Sequence, residues 1–323
     1  MQKVALFGAT GQIGNAILSA LLKSDFHVVQ IISPGSEARA KPESTTLSTK
    51  VVDLASVSRN DLASILDGTE AVISALNGKA LEAQELVQDA AWDAGVKRFY
   101  PSEYGMHHIY RRPGDTFGTD GKKLWNMKSQ CNEKALLHPS IIRGEMTYTL
   151  IGCGDFYNQP REKTWCQWTQ SSVESYNLPI LGNPDALIHF THIDDFASFL
   201  VQTLLHPELS QNKRLNFVSD TVSFSQIAEL LEKYSGKKVV KDIMPLEVVH
   251  RVIKDPANVP SELGYGPSSG KSAVPVDFWF LVRAMQGEGR YLHPPGEVSN
   301  GLFPAVRVRG IEEYLRKEVF GSS

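Results

Sequence analysis

The stretch Lys3-Val-Ala-Leu-Phe-Gly8-Ala-Thr-Gly11-Gln-Ile-Gly14-Asn-Ala16 limits what this chain can fold into more than any other. Val4–Phe7 is a short apolar run of the kind that fills a buried parallel strand. It stops at Gly8, and glycines recur at Gly11 and Gly14. The period then becomes helical, with Ile13, Ile17 and Leu21 on one face and Leu18 and Leu22 beside them, up to Lys23-Ser24-Asp25. Strand, glycine turn and helix in that order make a phosphate cradle. Gly8 permits the turn, Gly11 lets a pyrophosphate approach the backbone, and Gly14 lets the helix pack closely on the strand. The phosphates would meet free N–H groups at the positive end of the helix. The spacing is G-x-x-G-x-x-G, not the simplest dinucleotide fingerprint. Its place between an apolar strand and an amphipathic helix favours nucleotide binding over a ligand-free turn.

The alternation of strand and helix continues. A second strand, His27–Ile32, ends at Ser33-Pro34-Gly35, where NAD-preferring sites usually place an acid for the ribose 2′-hydroxyl. Ser33 stands there instead, and the following loop carries Arg39 and Lys41. A hydroxyl plus cations suits a 2′-phosphate, so NADP(H) is expected. A solvated basic loop, with Glu37 and Glu43 in it, is the competing reading. Val51–Asp53 reads as a third strand, and Ser58-x-x-Asp61 starts a helix to about Leu66 that Gly68 ends. Ala71–Ala75 reads as a fourth strand, and Ala75, Leu76 and Asn77 are expected beside the cofactor, Ala75 and Leu76 flooring the ribose. A helix from Leu81 to Ala94 leads to a fifth strand, Arg98–Pro101, which delivers Pro101-Ser102-Glu103-Tyr104-Gly105 to the carboxyl edge, where chemistry sits in such sheets. A long loop with His107, His108, Tyr110, Arg111 and Arg112 follows, expected as a lid or substrate wall. A helix from Lys122 to about Leu137 and a sixth strand, Thr147–Ile151, complete a doubly wound α/β parallel sheet.

At 323 residues the chain suits a large domain plus a smaller one. Residues 1–156 are expected as the dinucleotide-binding domain, with 187–206 packing on it, and 157–323 mainly as a substrate domain. The latter opens on an irregular aromatic segment with Trp165, Trp168 and Tyr176. It holds a strand at Leu187–Phe190 and a capping box, Thr191-His192-Ile193-Asp194, that makes Asp194 structural at the start of a helix to Leu205. Ser223-x-x-Gln226 caps another helix ending at Gly236, and Ile311–Val319 is the last. A net charge of −3 leaves no basic footprint and argues against nucleic acid. No apolar run approaches the roughly 18 residues of a membrane span. The chain enters its first strand at once, which leaves no room for a signal or transit peptide. Cys131, Cys153 and Cys166 are odd in number and lack metal-ligand spacing, so a reduced cytoplasmic chain without a metal is expected.

Gly8-Ala-Thr-Gly11-Gln-Ile-Gly14, Gly95-Val-Lys-Arg-Phe-Tyr-Pro-Ser-Glu-Tyr-Gly105, Thr147-Tyr-Thr149 with Gly154-Asp-Phe156, and Phe190-Thr-His-Ile-Asp-Asp195-Phe-Ala197 together resemble the NmrA-like group. That group contains the isoflavone reductase-like and phenylcoumaran benzylic ether reductase enzymes, all atypical short-chain dehydrogenases. The resemblance runs to about residue 240, and the last eighty residues match loosely. It implies NADP(H), held by Gly8, Thr10, Gly11, Gln12, Ile13 and Gly14 at the pyrophosphate and by Ser33 and Arg39 at the 2′-phosphate. Pro101, Ser102, Gly154 and Phe156 would lie along the rest of the cofactor. The reductase branch carries a lysine on the helix after the long loop, preceded by an aromatic residue. Trp125-Asn-Met-Lys128 fits that place, so the resemblance gives Lys128 a general acid or base role beside the nicotinamide, with Lys122 and Lys123 as rivals. The warrant is physical: a partly desolvated ammonium lowers its pKa and relays a proton. Ordinary short-chain dehydrogenases use Tyr-x-x-x-Lys, and the match Tyr234…Lys238 is broken by Gly236, so redox chemistry would run without that tyrosine.

Three readings follow. The first is an NADPH-dependent reductase of an aromatic or alkaloid-type secondary metabolite, delivering hydride to C=O, C=C or C=N, with Lys128 handling the proton and Glu103 as a second candidate. Tyr104, His107, Trp125, Tyr157, Trp165 and Trp168 would line its substrate pocket. The second is a Pictet–Spengler-type cyclase closing a ring onto an iminium. The third is a non-enzymatic NmrA-type regulator that senses the NADP⁺/NADPH balance. A monomer or homodimer is expected in each case.

Overall fold

The computed structural model describes residues 2–106, 124–160, 162, 164–260 and 276–321, and in these ranges the side chains of 124–126, 256, 276 and 277 are left aside. Seven strands form one parallel sheet: β1 (Lys3–Phe7), β2 (His27–Ile32), β3 (Leu47–Val51), β4 (Ala71–Ser74), β5 (Arg98–Tyr100), β6 (Thr147–Cys153) and β10 (Lys213–Phe217). Their order is β10-β6-β5-β4-β1-β2-β3. Because strand side chains alternate, β1 feeds two cores. Val4 and Leu6 enter one with Ile17 and Leu21 of α1 (Gln12–Lys23), while Ala5 and Phe7 enter another with Leu62 of α2 (Arg59–Ile65) and Val87 of α3 (Gln84–Asp93). Both faces are thus covered, which is what an all-parallel sheet requires. α4 (Leu124–Leu136) covers the second face through Ala135, and the single-turn α5 (Pro139–Ile142) follows it.

The remaining elements return to this sheet before leaving it. β7 (Asp155–Phe156) pairs with β9 (Ile188–Thr191), β9 with β11 (Asp220–Val222), and β8 (Tyr176–Leu181) with β12 (Val239–Met244). α6 (Ile193–Leu205) lies on the same face as α1, and α7 (Pro207–Ser210) leads into β10. Arg98 of β5 is buried and donates to the carbonyls of Thr203 and Leu204 at 3.0 and 3.4 Å and to Ser210 Oγ at 2.9 Å. A cation thereby satisfies the carbonyls that the end of α6 leaves without intrahelical partners. α8 (Phe224–Ser235), α9 (Leu246–Lys254), α10 (Val276–Gly287) and α11 (Ile311–Tyr314) surround the third core, which holds Trp165, Trp168, Tyr157 and Tyr176.

Several sequence expectations shift. The third strand is Leu47–Val51, not Val51–Asp53, because it is a mostly exposed edge whose polar residues hide it from an apolar-run reading. Asp53 instead accepts from the Ala55 N–H and the Ser56 hydroxyl in the turn beyond. β10 escaped notice because only its last three residues are buried. The cap of α6 is His192, whose Nδ1 accepts from the Asp194 N–H at 3.2 Å. Thr191 is not the cap: its hydroxyl donates to the Phe217 carbonyl and accepts from the Gly154 N–H. The helix expected over Leu81–Ala94 begins as a 3-10 segment, Gly78–Ala83, and the last helix passes from α11 into a π-turn, Leu315–Val319. The Ser223–Gln226 capping box forms as expected.

Candidate functional site

The glycine turn is built by close approach. Gly8 has φ +76°, and a Cβ there would stand 2.4 Å from the Ala75 carbonyl oxygen. A Cβ on Gly14 would stand 2.1 Å from the Gly8 carbonyl oxygen, so α1 can start only where it does. Gly11 differs. It is the N-cap of α1, its N–H donates back to the Gly8 carbonyl at 3.1 Å, and a Cβ on it would meet only that carbonyl, at 3.4 Å. Two glycines serve the packing and the third leaves a surface open at a helix N-terminus. This is a cradle that fits a dinucleotide pyrophosphate.

The turn after β2 gathers polar groups. Ser33 Oγ lies 2.9 Å from Ser36 Oγ, and Arg39 Nη2 donates to Ser36 Oγ at 2.9 Å. Ser33 and Arg39 are exposed while Ser36 is buried. Ser36, which sequence reading passed over, is the anchor that holds the guanidinium beside Ser33. Ala75 is half-buried next to the turn. The Leu76 side chain points into the core with Val87, so of the two only Ala75 presents a side chain near the turn.

At the end of β5 the chain enters Pro101–Met106. Ser102 is buried, donating its hydroxyl to the Leu76 carbonyl at 2.7 Å and its N–H to Gln84 Oε1 at 2.8 Å, which braces this loop to the one after β4. Tyr104 sits at φ +54°, a conformation few residues with a Cβ adopt. Its N–H donates to the Ile151 carbonyl, and its ring packs edge-on against Phe196 at 4.9 Å. Lys128 of α4 donates from Nζ to the Glu103 carbonyl at 2.5 Å. One turn further, Asn132 Nδ2 donates to Glu103 Oε2. Burial pulls the Lys128 ammonium below its ordinary pKa, opposed by the charge of Glu103.

A cleft opens beyond Lys128. Its lining mixes aromatic and aliphatic side chains with a few polar groups, the character of a small-molecule site. Asn77, Glu103, Tyr104, Lys128, Gly154 and Phe156 line it together with Trp165, Phe278, Val282 and Tyr291. Trp165 and Phe278 stack at 6.2 Å with 25° between their planes. Behind them Asp155 is buried, accepting from Trp165 Nε1 at 2.7 Å and Gln286 Nε2 at 2.7 Å. Arg283 Nη1 stands 3.8 Å from the same carboxylate, and Nη2 donates to the Trp165 carbonyl. Burial raises the Asp155 pKa, and Arg283 works against that rise.

The structure thus brings Glu103, Tyr104, Lys128, Gly154, Phe156, Asn77 and Trp165 to one cleft. It does not bring Tyr157 and Trp168 there. Tyr157 is fully buried with its hydroxyl on the Arg309 carbonyl, and Trp168 is buried with Nε1 on the Tyr157 carbonyl. Both belong to the aromatic core, where an irregular segment needs large side chains to exclude water. His107, the rest of the long loop with Lys122 and Lys123, and the Trp125 side chain lie outside the described residues. Tyr234 hydrogen-bonds to Glu312 at 2.6 Å and lines none of the cleft. Sequence reading missed Asp155, Phe278, Val282 and Tyr291 as cleft residues. Nothing local marks them. Asn132 had one signal, its place one helical turn after Lys128.

Comparison with known proteins agrees with this geometry. The sequence model of the NmrA-like family matches residues 1–266, and the chain belongs to that family. It is 23% identical over 328 residues to phenylcoumaran benzylic ether reductase PT1 of Pinus taeda, covering 97% of both chains. A solved structure described as AtPrR2 with NADP⁺ and (+)pinoresinol superposes with a TM-score of 0.73 at 19% identity, covering 98% of each chain. The binary complex of leucoanthocyanidin reductase with NADPH from Vitis vinifera gives 0.71 at 18% identity, covering 99% of this chain and 100% of that one. These similarities carry the fold. Among the described residues no helix is long and apolar enough to cross a membrane.

Proposed function

We propose that this chain is an NADPH-dependent oxidoreductase that reduces an aromatic or alkaloid-type small molecule in the Lys128 cleft. The observation that carries the reading is the position of Lys128, a partly buried amine in the lining of a cleft that also holds the Trp165–Phe278 stack. The Gly8–Gly14 turn would hold the pyrophosphate through backbone N–H groups, and Ser33 with Arg39 would hold the 2′-phosphate, giving preference over the cofactor that lacks it. Residues 1–156 would carry the dinucleotide and 157–323 most of the substrate wall. The family reductases that this chain resembles, and the solved relatives with NADP⁺ or NADPH, support the same cofactor.

When bound, the cofactor supplies a hydride from nicotinamide C4 to a C=O, C=C or C=N carbon. Lys128 supplies the proton to the neighbouring atom that gains negative charge, and solvent reprotonates the amine. The lowered pKa matters for this role, because an acid works best when its pKa nears the working pH. The Trp165–Phe278 stack offers a flat apolar face against which a ring can lie.

The test uses NADPH deuterated at the transferable C4 position, incubated with the protein and a metabolite extract, with products read by mass spectrometry. The expected result is a deuterated product whose rate of formation falls about 10²–10⁴-fold in Lys128→Ala, with dinucleotide affinity within a few-fold of the parent. A new product without label would overturn net reduction in favour of ring closure. Tight dinucleotide binding with no product would leave a sensor.

A further inference from the structure

We infer that Asn132 is a positioning residue for Lys128: it holds the buried Glu103 carboxylate as one jaw of a clamp whose other jaw is the Lys128 ammonium on the Glu103 carbonyl. This deepens the reading of the Lys128 cleft and rests on it.

The clamp has three parts. Lys128 and Asn132 stand four residues apart, so they project from the same face of α4. Both reach the same residue, Lys128 through Nζ to the backbone oxygen at 2.5 Å and Asn132 through Nδ2 to Oε2. That residue immediately precedes Tyr104, held at φ +54°. A strained backbone persists only where its surroundings fix it, and two donors from one helix fix it from one side while the Ile151 and Cys153 backbones fix it from the other. Asn132 is fully buried, yet its Oδ1 has no hydrogen-bond partner. An unmade buried acceptor is a cost to the fold, so this amide is kept for its N–H.

Glu103 is 4% exposed, and a buried carboxylate stays ionised only when donors satisfy it. Ionised, it opposes the desolvation of Lys128. Among the described residues the other titratable groups toward Lys128 are Cys153 from β6, Tyr104 from the loop, and Asp155, Glu162 and Tyr291 of the cleft lining. Asp155 has Arg283 as its partner, and burial keeps the Cys153 thiol and both tyrosines protonated. Glu103 acts on the Lys128 ammonium by its charge and is touched by Asn132, so it is the anion through which Asn132 reaches Lys128.

The experiment reads Lys128 directly and needs no substrate. The full chain is acetylated under limiting reagent across a pH series, and the Lys128 peptide is quantified by mass spectrometry, which gives the pH midpoint of its reactivity. Asn132→Ala removes a donor that favours the ionised Glu103 carboxylate, so the negative charge opposing the desolvation of Lys128 weakens and the midpoint falls by about one pH unit. Asn132→Asp keeps the shape and sets two buried carboxyls in contact, which share one proton, so a single negative charge stays beside Lys128 and the midpoint keeps to within a few tenths of a pH unit of the parent. Glu103→Gln lowers the midpoint as Asn132→Ala does, and the double variant moves no further than Glu103→Gln alone. A fall in the Ala variant that the Asp variant does not share ties the effect to the hydrogen bond on Glu103. An equal fall in the Ala and Asp variants, no fall in the Ala variant, or an additive double variant would overturn the inference. If Asn132→Ala does not fold, Asn132→Leu, which also lacks the donor, takes its place with the same expected fall. Failure of the reductase reading shows separately, as absent deuterium transfer with these midpoints unchanged.

Discussion

The glycine turn and the aromatic wall of the cleft are built differently. At the glycine turn the working groups are backbone, contributed by seven consecutive residues, and the side chains are mostly absent by necessity. At the wall the working groups are side chains drawn from distant parts of the chain: Asp155 and Gln286 are 131 residues apart and share a hydrogen bond. The turn needs only local geometry, since glycine spacing and a following helix place N–H groups wherever the chain folds that way. The wall exists only when β7 and α10 meet, and it encloses a buried charge pair that must be satisfied there or not at all. The turn can therefore stay fixed while the wall changes, because the cleft lining includes none of Gly8–Gly14.

The contrast can be broken most forcefully at Arg283. Arg283→Met should cost about 3–5 kcal/mol, because it strands Asp155 in the interior. The pH dependence carries the sign. Asp155 has its folded pKa raised by burial, so its favourable contribution is complete below its ordinary value of 3.8 and is lost as pH rises through the folded value. Without Arg283 that value rises further, so urea denaturation should show a smaller deficit near pH 4.5 than at pH 7. An equal deficit at both would mean that Asp155 is not the group stranded.

The turn gives the next largest effect and sharpens the comparison. Gly14→Ala drives a methyl against the Gly8 carbonyl and should cost about 3 kcal/mol, measured by the same denaturation. Gly11→Ala meets nothing closer than 3.4 Å and should keep its stability to within about 0.5 kcal/mol while losing dinucleotide affinity about tenfold or more, measured by calorimetry. If both variants lose stability equally, the division between packing glycines and an open one is wrong. The smallest effect is expected at Arg39, which is exposed. Arg39→Ala should narrow the preference for NADPH over NADH by about tenfold, or about 1.4 kcal/mol, with stability unchanged.

Legibility follows the same division. β1, β2 and α6 stand where hydrophobic period places them, because buried strands and amphipathic helices write their burial into local sequence. β3 was displaced by four residues since an edge strand need not be apolar, and β10 was missed since it meets the sheet with two exposed cations first. Glu103 and Lys128 were legible through motif resemblance, and Trp165 only as one aromatic of an irregular segment. Tyr157 and Trp168 were not separable from it, because an aromatic residue reads the same whether it lines a cleft or fills a core.

The sequence by itself determined a parallel, doubly wound sheet and a glycine turn at the start of its first helix, since both depend on contacts within a few residues or on simple periodicity. The tertiary structure alone decided which aromatics face the cleft, that α10 closes it, that Ser36 steadies Arg39, and that Asn132 reaches Glu103. Those facts depend on charges and rings meeting across long stretches of chain. Desolvation makes such meetings energetically large, and no local pattern encodes them.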